Sequence, residues 1–321
     1  MPQEFCSNPK FALSNDLKVG VFCGGRSSER KISQLSGRAV YGALKRAGFS
    51  ALLIDPAKPQ SMERRVRAID VAFLALHGHG GEDGRIQTYL EKKRVPYVGA
   101  DAHGSRNAFD KLLAKRLFLR SRIPTPPHRV LTRSNWKKAL ARFPGPWFIK
   151  PHREGSSIGV FMVEDLRKSA EKIKRAVVEY GKLLAEQKIS GREFTVGILG
   201  RQALPPVELV PKNPFYDFHA KYTKGMTEYR VPARIPAGLR KKLQRIALKV
   251  HRCLKLRDLS RIDIMVDRKG RPFVLEANSL PGFTELSLLP KAAKAAGMSF
   301  EEVCTRLVHW ASQRGKGSRR G

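Results

Sequence analysis

The feature that most constrains the fold is a segment near the end of the chain, residues 261–278. Two runs of β-type residues flank the turn signal Asp267-Arg-Lys-Gly270. This arrangement predicts a β-hairpin. With Lys269-Gly270 as the loop itself, the pairing register of the two strands is fixed.

That register gathers polar side chains on one face of the hairpin. Side chains alternate between the faces of a strand, so Arg261 and Asp263 share one face. On the return strand Glu276 lies opposite Asp263, and Asn278 shares the face of Glu276. Facing carboxylates repel, so a positive group is expected between them. Two carboxylates and an amide oxygen form an all-oxygen ligand set that suits Mg²⁺ bridging substrate phosphates. The alternative is a solvated strand face whose acids are coincidental.

The bulk composition is that of a globular protein of two or three domains, with 321 residues and 41% hydrophobic residues. No apolar run approaches the length of about 18 residues that a membrane helix needs. The start of the chain has no apolar signal core. The four cysteines are far apart and show no metal-binding spacing. We therefore expect a cytoplasmic protein with no membrane segment.

The charge is strongly basic, with 62 Lys and Arg against 28 Asp and Glu and a formal net charge of +34. Such a field attracts polyanions at low salt. However, the basic residues are spread along the whole chain, and no nucleic-acid-binding motif accompanies them. We expect solvated surface and no specific nucleic acid, and keep a polyanion-binding protein as the alternative.

The first third of the chain predicts an α/β unit, because a strand at 17–23 runs through Gly24-Gly25 into a helical pattern that reaches about Ala47. Glu29 falls in the first turn of that helix, where it either meets a ligand or favours the helix dipole. A later strand ends in the glycine-rich loop 77–84, at the strand end where ligands gather in open α/β sheets. His77 there is either a proton carrier or substrate contact, or a solvated loop residue.

The middle of the chain predicts a phosphate-covering loop. A helix is expected from Asn107 to Arg120, followed by strands at 147–151 and 159–163. The loop between the strands, 152–158, supplies backbone NH groups and two hydroxyls. Lys150, at the end of its strand, is placed to reach a phosphate. Further on, the long segment 213–230 predicts a lid.

Seven runs, in order, resemble those of the D-alanine–D-alanine ligase family of the ATP-grasp superfamily: GGRSSERKIS, ALHGHGGEDG, IKPHREGSSIGV, SGREFTVGILG, FYDFHAKY, RIDIMVD and LEANSLPGFTELS. The match covers about residues 17–312. It implies an α/β fold with an N-terminal open parallel α/β domain and a two-part ATP-grasp domain. The expected divisions are an extension 1–16, a substrate domain 17–104, ATP-grasp subdomains 105–190 and 191–313, and a disordered basic tail 314–321.

The resemblance implies an ADP-forming ligase that makes D-alanyl-D-alanine for peptidoglycan. The γ-phosphate of ATP passes to the carboxylate of one D-alanine, and the amine of a second attacks the acylphosphate. ATP, two Mg²⁺ (or Mn²⁺) ions and a homodimer are implied with it. Related ligases make D-alanyl-D-serine or D-alanyl-D-lactate, and these stay as alternatives. The lid sequence Ala220-Lys-Tyr222 resembles the dipeptide-forming type.

The resemblance also implies roles for individual residues at the nucleotide end of the site. The metal ions are expected on Asp263, Glu276 and Asn278. Phosphate oxygens are expected to meet lysines and the loop hydroxyls, namely Lys111, Lys150, Lys221, Ser156 and Ser157. Glu186 is expected to line the adenine cleft, and Glu193 to bind the ribose hydroxyls.

A second set of implied roles concerns the amino acids. Glu29 is expected to hold the ammonium of the first D-alanine and to form a hydrogen-bonded link with Ser156 and Tyr222 that closes the lid. The other expected contacts are His77 beside the first substrate, Arg261 and the Gly282 amide at the oxyanion, and Ser287 at the second carboxylate.

Overall fold

The structure, a computed structural model, describes residues 16–211 and 227–317. Its first part is a parallel three-stranded sheet of order β2-β1-β3. Helices connect the parallel strands, as parallel pairing requires. The elements are β1 (Lys18–Phe22), α1 (Arg30–Arg46), β2 (Ser50–Ile54), α2 (Pro59–Val66), β3 (Val71–Leu74) and α3 (Arg85–Lys92).

Two helices predicted as one follow this sheet. The expected helix from Asn107 to Arg120 is instead divided into α4 (Ala102–Phe109) and α5 (Lys111–Arg120). Asp110 between them has extended backbone angles, and its carboxylate accepts hydrogen bonds from the first free NH groups of α5. An aspartate at this position satisfies NH groups that have no partner within the helix, so it starts a new helix.

The middle part is an antiparallel sheet of order β4-β7-β5-β6, covered by two helices. Its strands are short, and Asp165 caps the longer helix. The elements are β4 (His128–Leu131), α6 (Trp136–Ala141), β5 (Trp147–Pro151), β6 (Phe161–Val163), α7 (Leu166–Tyr180) and β7 (Leu183–Gln187).

The last sheet is antiparallel, with order β11-β10-β8-β12-β13 and a short β9 paired to β8. Its central strand β12 is almost entirely buried, and β8 is buried from Phe194 onward. The elements are β8 (Gly191–Leu199), β9 (Gln202–Ala203), β10 (Val207–Pro211), β11 (Thr227–Arg230), α8 (Ala237–Cys253), β12 (Leu259–Asp267), β13 (Pro272–Asn278), α9 (Leu288–Ala295) and α10 (Phe300–Gly317).

The hairpin β12–β13 has the predicted register at its functional end. Asp263 pairs with Glu276, and Arg261 pairs with Asn278. The turn differs from the prediction, because Asp267 hydrogen-bonds to Arg271 and leaves a three-residue loop. A β-bulge between Asp263 and Ile264 leaves Leu275 without a partner on β12 and compensates for the longer turn.

One core joins the start and the end of the chain. Residues of β1, β3 and α1 belong to the same buried cluster as residues of α9 and α10. The predicted disordered tail from Arg314 is wrong at its start, because α10 continues to Gly317. Arg314 donates to both carboxylate oxygens of the buried Asp258 at 2.6 Å, and this ion pair holds the helix end.

No helix in the described part of the chain is long and apolar enough to cross a membrane. Each sheet draws its strands from one continuous range of the chain, although the shared core crosses these ranges. The divisions at residues 104, 190 and 313 stay proposals.

Candidate active site

A cavity of about 470 Å³ lies between the middle and last sheets. Its walls come from β5, β7, β8, β10, β12 and β13, and from the loop 152–158. It collects most of the residues expected to meet a nucleotide or metal: Lys111, Lys150, Ser156, Ser157, Glu186, Glu193, Arg261, Asp263 and Glu276. Side chains that are up to 165 residues apart in sequence therefore share one chamber.

Asp263 is the most heavily hydrogen-bonded acid in this cavity. Its Oδ1 accepts from Arg261 Nε at 2.9 Å and from Thr195 Oγ1 at 2.7 Å. Its Oδ2 accepts from Arg261 Nη2 at 2.9 Å and from Asn278 Nδ2 at 3.1 Å. The positive group expected on this face is thus Arg261, from the same strand. Sequence reasoning missed Thr195, which reaches Asp263 because β8 pairs with β12 at that position.

Glu276, opposite Asp263, is more accessible, with 36% of its side chain exposed. Its ion pair in the described part of the chain is with Lys111, at 3.8 Å. The ammonium of Lys111 also donates to the carbonyl of Glu154 at 2.5 Å, which ties α5 to the predicted phosphate loop.

The chemistry of this donor set fits a hard divalent cation. Two carboxylates from adjacent strands face one another, and an amide lies beside them. Within residues 16–211 and 227–317, no group of three or more His, Cys, Asp and Glu side chains could hold a metal. A cation here would therefore take ligands from Asp263, Glu276, the Asn278 amide oxygen and the bound substrate. A cation on Asp263 would replace one of its present hydrogen-bond donors.

A buried ion cluster forms the opposite wall of the cavity. Lys150 and Lys115 both contact Glu186, and Lys115 Nζ lies 2.5 Å from Glu186 Oε1. Burial alone would raise the pKa of Glu186, but the charges of the two lysines outweigh burial and lower it to about 2. Glu186 is therefore a carboxylate at neutral pH. Sequence reasoning did not identify Lys115, since it lies within an ordinary amphipathic helix pattern.

Glu29 lies beside the cavity and connects to it through the phosphate loop. Ser156 Oγ donates a hydrogen bond to Glu29 Oε1. The carboxylate fits between Gly78 and Gly155, where an added Cβ would come within 2.9 and 2.8 Å of Oε2. Ser156 has φ of 49°, in the left-handed region that is costly for a serine, and its contact with Glu29 stabilises that conformation.

His77 is buried, and both of its ring nitrogens have partners. Nδ1 lies 3.1 Å from the carbonyl of Leu280, so Nδ1 carries the hydrogen. In the neutral ring, Nε2 accepts from Ser36 Oγ at 3.2 Å. The same Ser36 hydroxyl accepts from the NH of Phe283 at 3.2 Å. His77 thus joins the loop 77–84 to the loop that contains Gly282, and the solvated-loop alternative is wrong.

Glu82, which was not among the predicted site residues, makes a second connection between these loops. Its carboxylate accepts from the NH of Gly78 at 2.9 Å and lies 3.5 Å from the NH of Leu280. Burial, and then the charge of Glu29, raise the pKa of Glu82 to about 7. The buried Glu29 and the partly buried Glu82 thus lie close together beside the cavity, a proximity that sequence spacing does not reveal.

The remaining predicted residues lie around these loops or outside the described chain. Ser287 precedes α9, and its Oγ accepts from the NH of Thr284 at 3.0 Å. A Cβ on Gly282 would come within 3.2 Å of the Ser287 hydroxyl, so the two are neighbours. Lys221 and Tyr222, with the lid to which they belong, lie outside the described residues.

Family models and relatives of known function agree on one family for this chain. The family model described as "D-ala D-ala ligase C-terminus" matches residues 117–309, and the model "D-ala D-ala ligase N-terminus" matches residues 54–100. A D-alanine–D-alanine ligase of Geotalea uraniireducens is 43% identical over 293 residues, which is 91% of this chain and 94% of that protein.

Two solved structures share the whole architecture. The D-alanine–D-alanine ligase of Bacillus anthracis, complexed with ATP, has a TM-score of 0.82 at 28% identity and covers 94% of this chain and 99% of its own. The VanG D-Ala:D-Ser ligase of Enterococcus faecalis has a TM-score of 0.79 at 26% identity and covers 92% of this chain and 99% of its own.

The parallel α/β sheet, followed by two antiparallel sheets that enclose a charged cavity, defines an ATP-grasp ligase. The predicted fold class is thereby confirmed. Within that class, the chain belongs to the D-alanine–D-alanine ligase family.

Proposed function

We propose that the protein joins two D-alanine molecules into D-alanyl-D-alanine, with conversion of ATP to ADP and phosphate, as a precursor for peptidoglycan. The observation that carries this proposal is the arrangement around the cavity. Lysines and an arginine meet two facing carboxylates inside it, and Glu29 is attached to its edge through Ser156. The family relationship supplies the identity of the substrates.

The cavity divides into a nucleotide end and a metal end. Glu186 and Glu193, which line the cavity, would hold the adenine and ribose, and Lys150 would meet the phosphates. Lys111 and the hydroxyls of the loop 152–158 would close over the phosphate chain. Most of the catalytic effect would come from positioning and charge neutralisation, as in phosphoryl transfer generally.

Asp263, Glu276 and Asn278 are the residues that would hold Mg²⁺. The ion, when bound, would supply positive charge that neutralises the phosphates. The protein's own contribution is to fix the two carboxylates opposite one another on β12 and β13.

The amino-acid end lies beside the loops joined by His77. The carboxylate of Glu29 would hold the ammonium of the first D-alanine, and Ser287 the carboxylate of the second. The first substrate's carboxylate oxygen then takes the γ-phosphoryl group and ADP leaves. Attack of the second amine on the acylphosphate carbon forms the peptide bond and releases phosphate. Arg261 and the Gly282 amide would stabilise the oxyanion between these events.

The test is phosphate release with ATP and Mg²⁺, coupled to product identification by mass spectrometry. We expect turnover and D-alanyl-D-alanine with D-alanine, and neither with L-alanine. D-Serine and D-lactate are offered as second substrates, since the VanG neighbour is a D-Ala:D-Ser ligase. Equal turnover of an unrelated amino acid would contradict the D-alanine assignment, and preference for D-serine or D-lactate would reassign the second substrate.

Partners and location are part of the same proposal. We expect a cytoplasmic homodimer, which light scattering of the purified protein tests. Despite the net charge of +34, we expect no sequence-specific nucleic acid. Electrostatic binding of nucleic acid should weaken steeply as salt increases. Binding that persists at about 0.3 M salt with a preferred sequence would favour the polyanion alternative.

A further inference from the structure

We propose that Lys115 is a positioning residue, which keeps the charge of Lys150 available for nucleotide phosphates and holds the bulge that precedes Glu276. Lys115 does not line the cavity itself. The inference rests on the proposed binding of a nucleotide, and it assigns a task to a residue that would touch neither substrate nor metal.

The contacts of Lys115 connect three separate parts of the fold. Its side chain is 1% exposed. From α5, Nζ reaches Glu186 on β7 and Thr125 Oγ1 in the connection that follows α5, each at 2.5 Å. It also donates to the carbonyls of Leu275 at 2.9 Å and Val274 at 3.1 Å on β13. A buried ammonium with this many acceptors fixes their relative positions.

The charges in this cluster do not balance. Lys115 and Lys150 share the single carboxylate of Glu186, which is only 3% exposed. With Lys115 present, these three groups together have one excess positive charge, and Lys150 is the cation among them that lines the cavity, beside Glu186. Without Lys115, Glu186 would neutralise Lys150 alone. The role of Lys115 is therefore to offset Glu186, so that Lys150 still attracts an anion.

The bulge gives the second half of the argument. Asp263 pairs with Glu276, and the next residue, Ile264, pairs with Val274. Leu275 is therefore left without a partner on β12. Its carbonyl is among those that accept from Lys115. Because a bulge sets the register of the residues beyond it, this bond helps to keep Glu276 opposite Asp263.

The test compares four proteins: wild type, Lys115→Met, Glu186→Gln and the double variant. Tripolyphosphate and ADP are the probes, measured by calorimetry without D-alanine. Tripolyphosphate has no adenine, so it reports the phosphate end alone. Arg116→Met is the matched control, since it removes one positive charge from the exposed face of the same helix. Circular dichroism and thermal unfolding verify that each variant is folded.

The charge argument predicts an order of tripolyphosphate affinities among the variants that a loss of packing alone would not produce. Lys115→Met should weaken tripolyphosphate binding by about tenfold, as expected for one unit charge at moderate distance. Glu186→Gln should bind it at least as tightly as wild type. The double variant should recover toward wild type, because the excess charge is again one. The KM of Lys115→Met for D-alanine should equal that of wild type. Arg116→Met should bind tripolyphosphate as tightly as wild type.

Several results would overturn the inference. If Lys115→Met binds tripolyphosphate as tightly as wild type, Lys115 has no electrostatic role in phosphate binding. A double variant weaker than either single variant indicates packing only. If Lys115→Met does not fold, weaker binding by Glu186→Gln than by wild type refutes the charge argument by itself. Wild-type protein that binds neither probe overturns the proposed function as well, so the two failures are distinguishable.

Discussion

The raised pKa of Glu82 makes a prediction about stability that involves no substrate. Glu82 lies beside Glu29, and burial followed by the charge of Glu29 raises its pKa from 4.5 to about 7. The folded protein therefore holds a proton that the unfolded chain releases. Replacement by glutamine removes this titration and keeps the size of the side chain. One of the two acceptor oxygens, which face the NH groups of Gly78 and Leu280, is lost.

Linkage between protonation and folding sets the sign and the size of the expected change in stability with pH. Because the folded pKa exceeds the unfolded one, protonated Glu82 contributes its stability in full below pH 4.5 and loses it as the pH rises through about 7. A shift of this size corresponds to about 3 kcal/mol in the free energy of unfolding. Glu82→Gln should be slightly less stable than wild type in acid, where it lacks an acceptor, and more stable in alkali.

The assay is urea unfolding of both proteins at several pH values between about 5 and 8.5, with the difference in unfolding free energy plotted against pH. Titrations of groups that do not interact with Glu82 cancel in that difference, whereas its interaction with Glu29 stays part of it. Glu164→Gln is the control, since Glu164 is exposed and forms no hydrogen bond or ion pair in the described chain. The reasoning is refuted if the Glu82→Gln difference is as independent of pH as that of the control.

Three further substitutions test the site and the fold. Glu276→Gln should raise the Mg²⁺ concentration needed for half-maximal phosphate release by at least about tenfold, because a charged oxygen ligand is lost. Ser156→Ala should raise the KM for D-alanine by about tenfold, since Glu29 loses a hydrogen bond worth about 1.5 kcal/mol. Arg314→Ala should lower the free energy of unfolding by about 2 kcal/mol, because Asp258 stays buried without its cation, and should leave kcat unchanged.

Ser156→Ala and Arg314→Ala each have a matched control in the same chain. Ser157→Ala changes the neighbouring residue, which has the same left-handed backbone, with φ of 61°. It should leave the KM for D-alanine unchanged, and an equal increase would point to the loop backbone instead of the bond to Glu29. Arg306→Ala breaks an exposed helical ion pair and should cost less than about 0.5 kcal/mol. Activity that does not depend on Glu276 would remove it from the metal site.

Local sequence patterns predicted the strands and the helix that position the active-site residues. Alternation placed Arg261 and Asp263 on one face, and the glycine pair after the first strand indicated the parallel α/β unit. The bond between Glu29 and Ser156 was expected only from the resemblance to a family, because the two residues are 127 positions apart. The break at Asp110 was missed, since an apolar period alone does not show where a cap interrupts it.

Residues whose importance depends on burial were harder to predict. Lys115 lies in an ordinary amphipathic stretch, and Thr195 and Glu82 lie in runs whose pattern did not single them out; each gains its significance from a partner on another element. A lysine on an amphipathic helix is normally solvated. Its burial here results from the acceptors that surround it, and no property of the helix itself reveals them.

The hairpin register shows how a local prediction can be right for an incomplete reason. A two-residue loop and an unbroken ladder would put Glu276 opposite Asp263. The actual loop is one residue longer, and the unpaired Leu275 restores the same pairing beyond it. That bulge is held by distant groups, because Val274 donates its NH to the carbonyl of Pro124 and Leu275 accepts from Lys115. The facing carboxylates are thus set by contacts with α5 and the connection after it, and a hairpin taken out of this protein should not keep them in register.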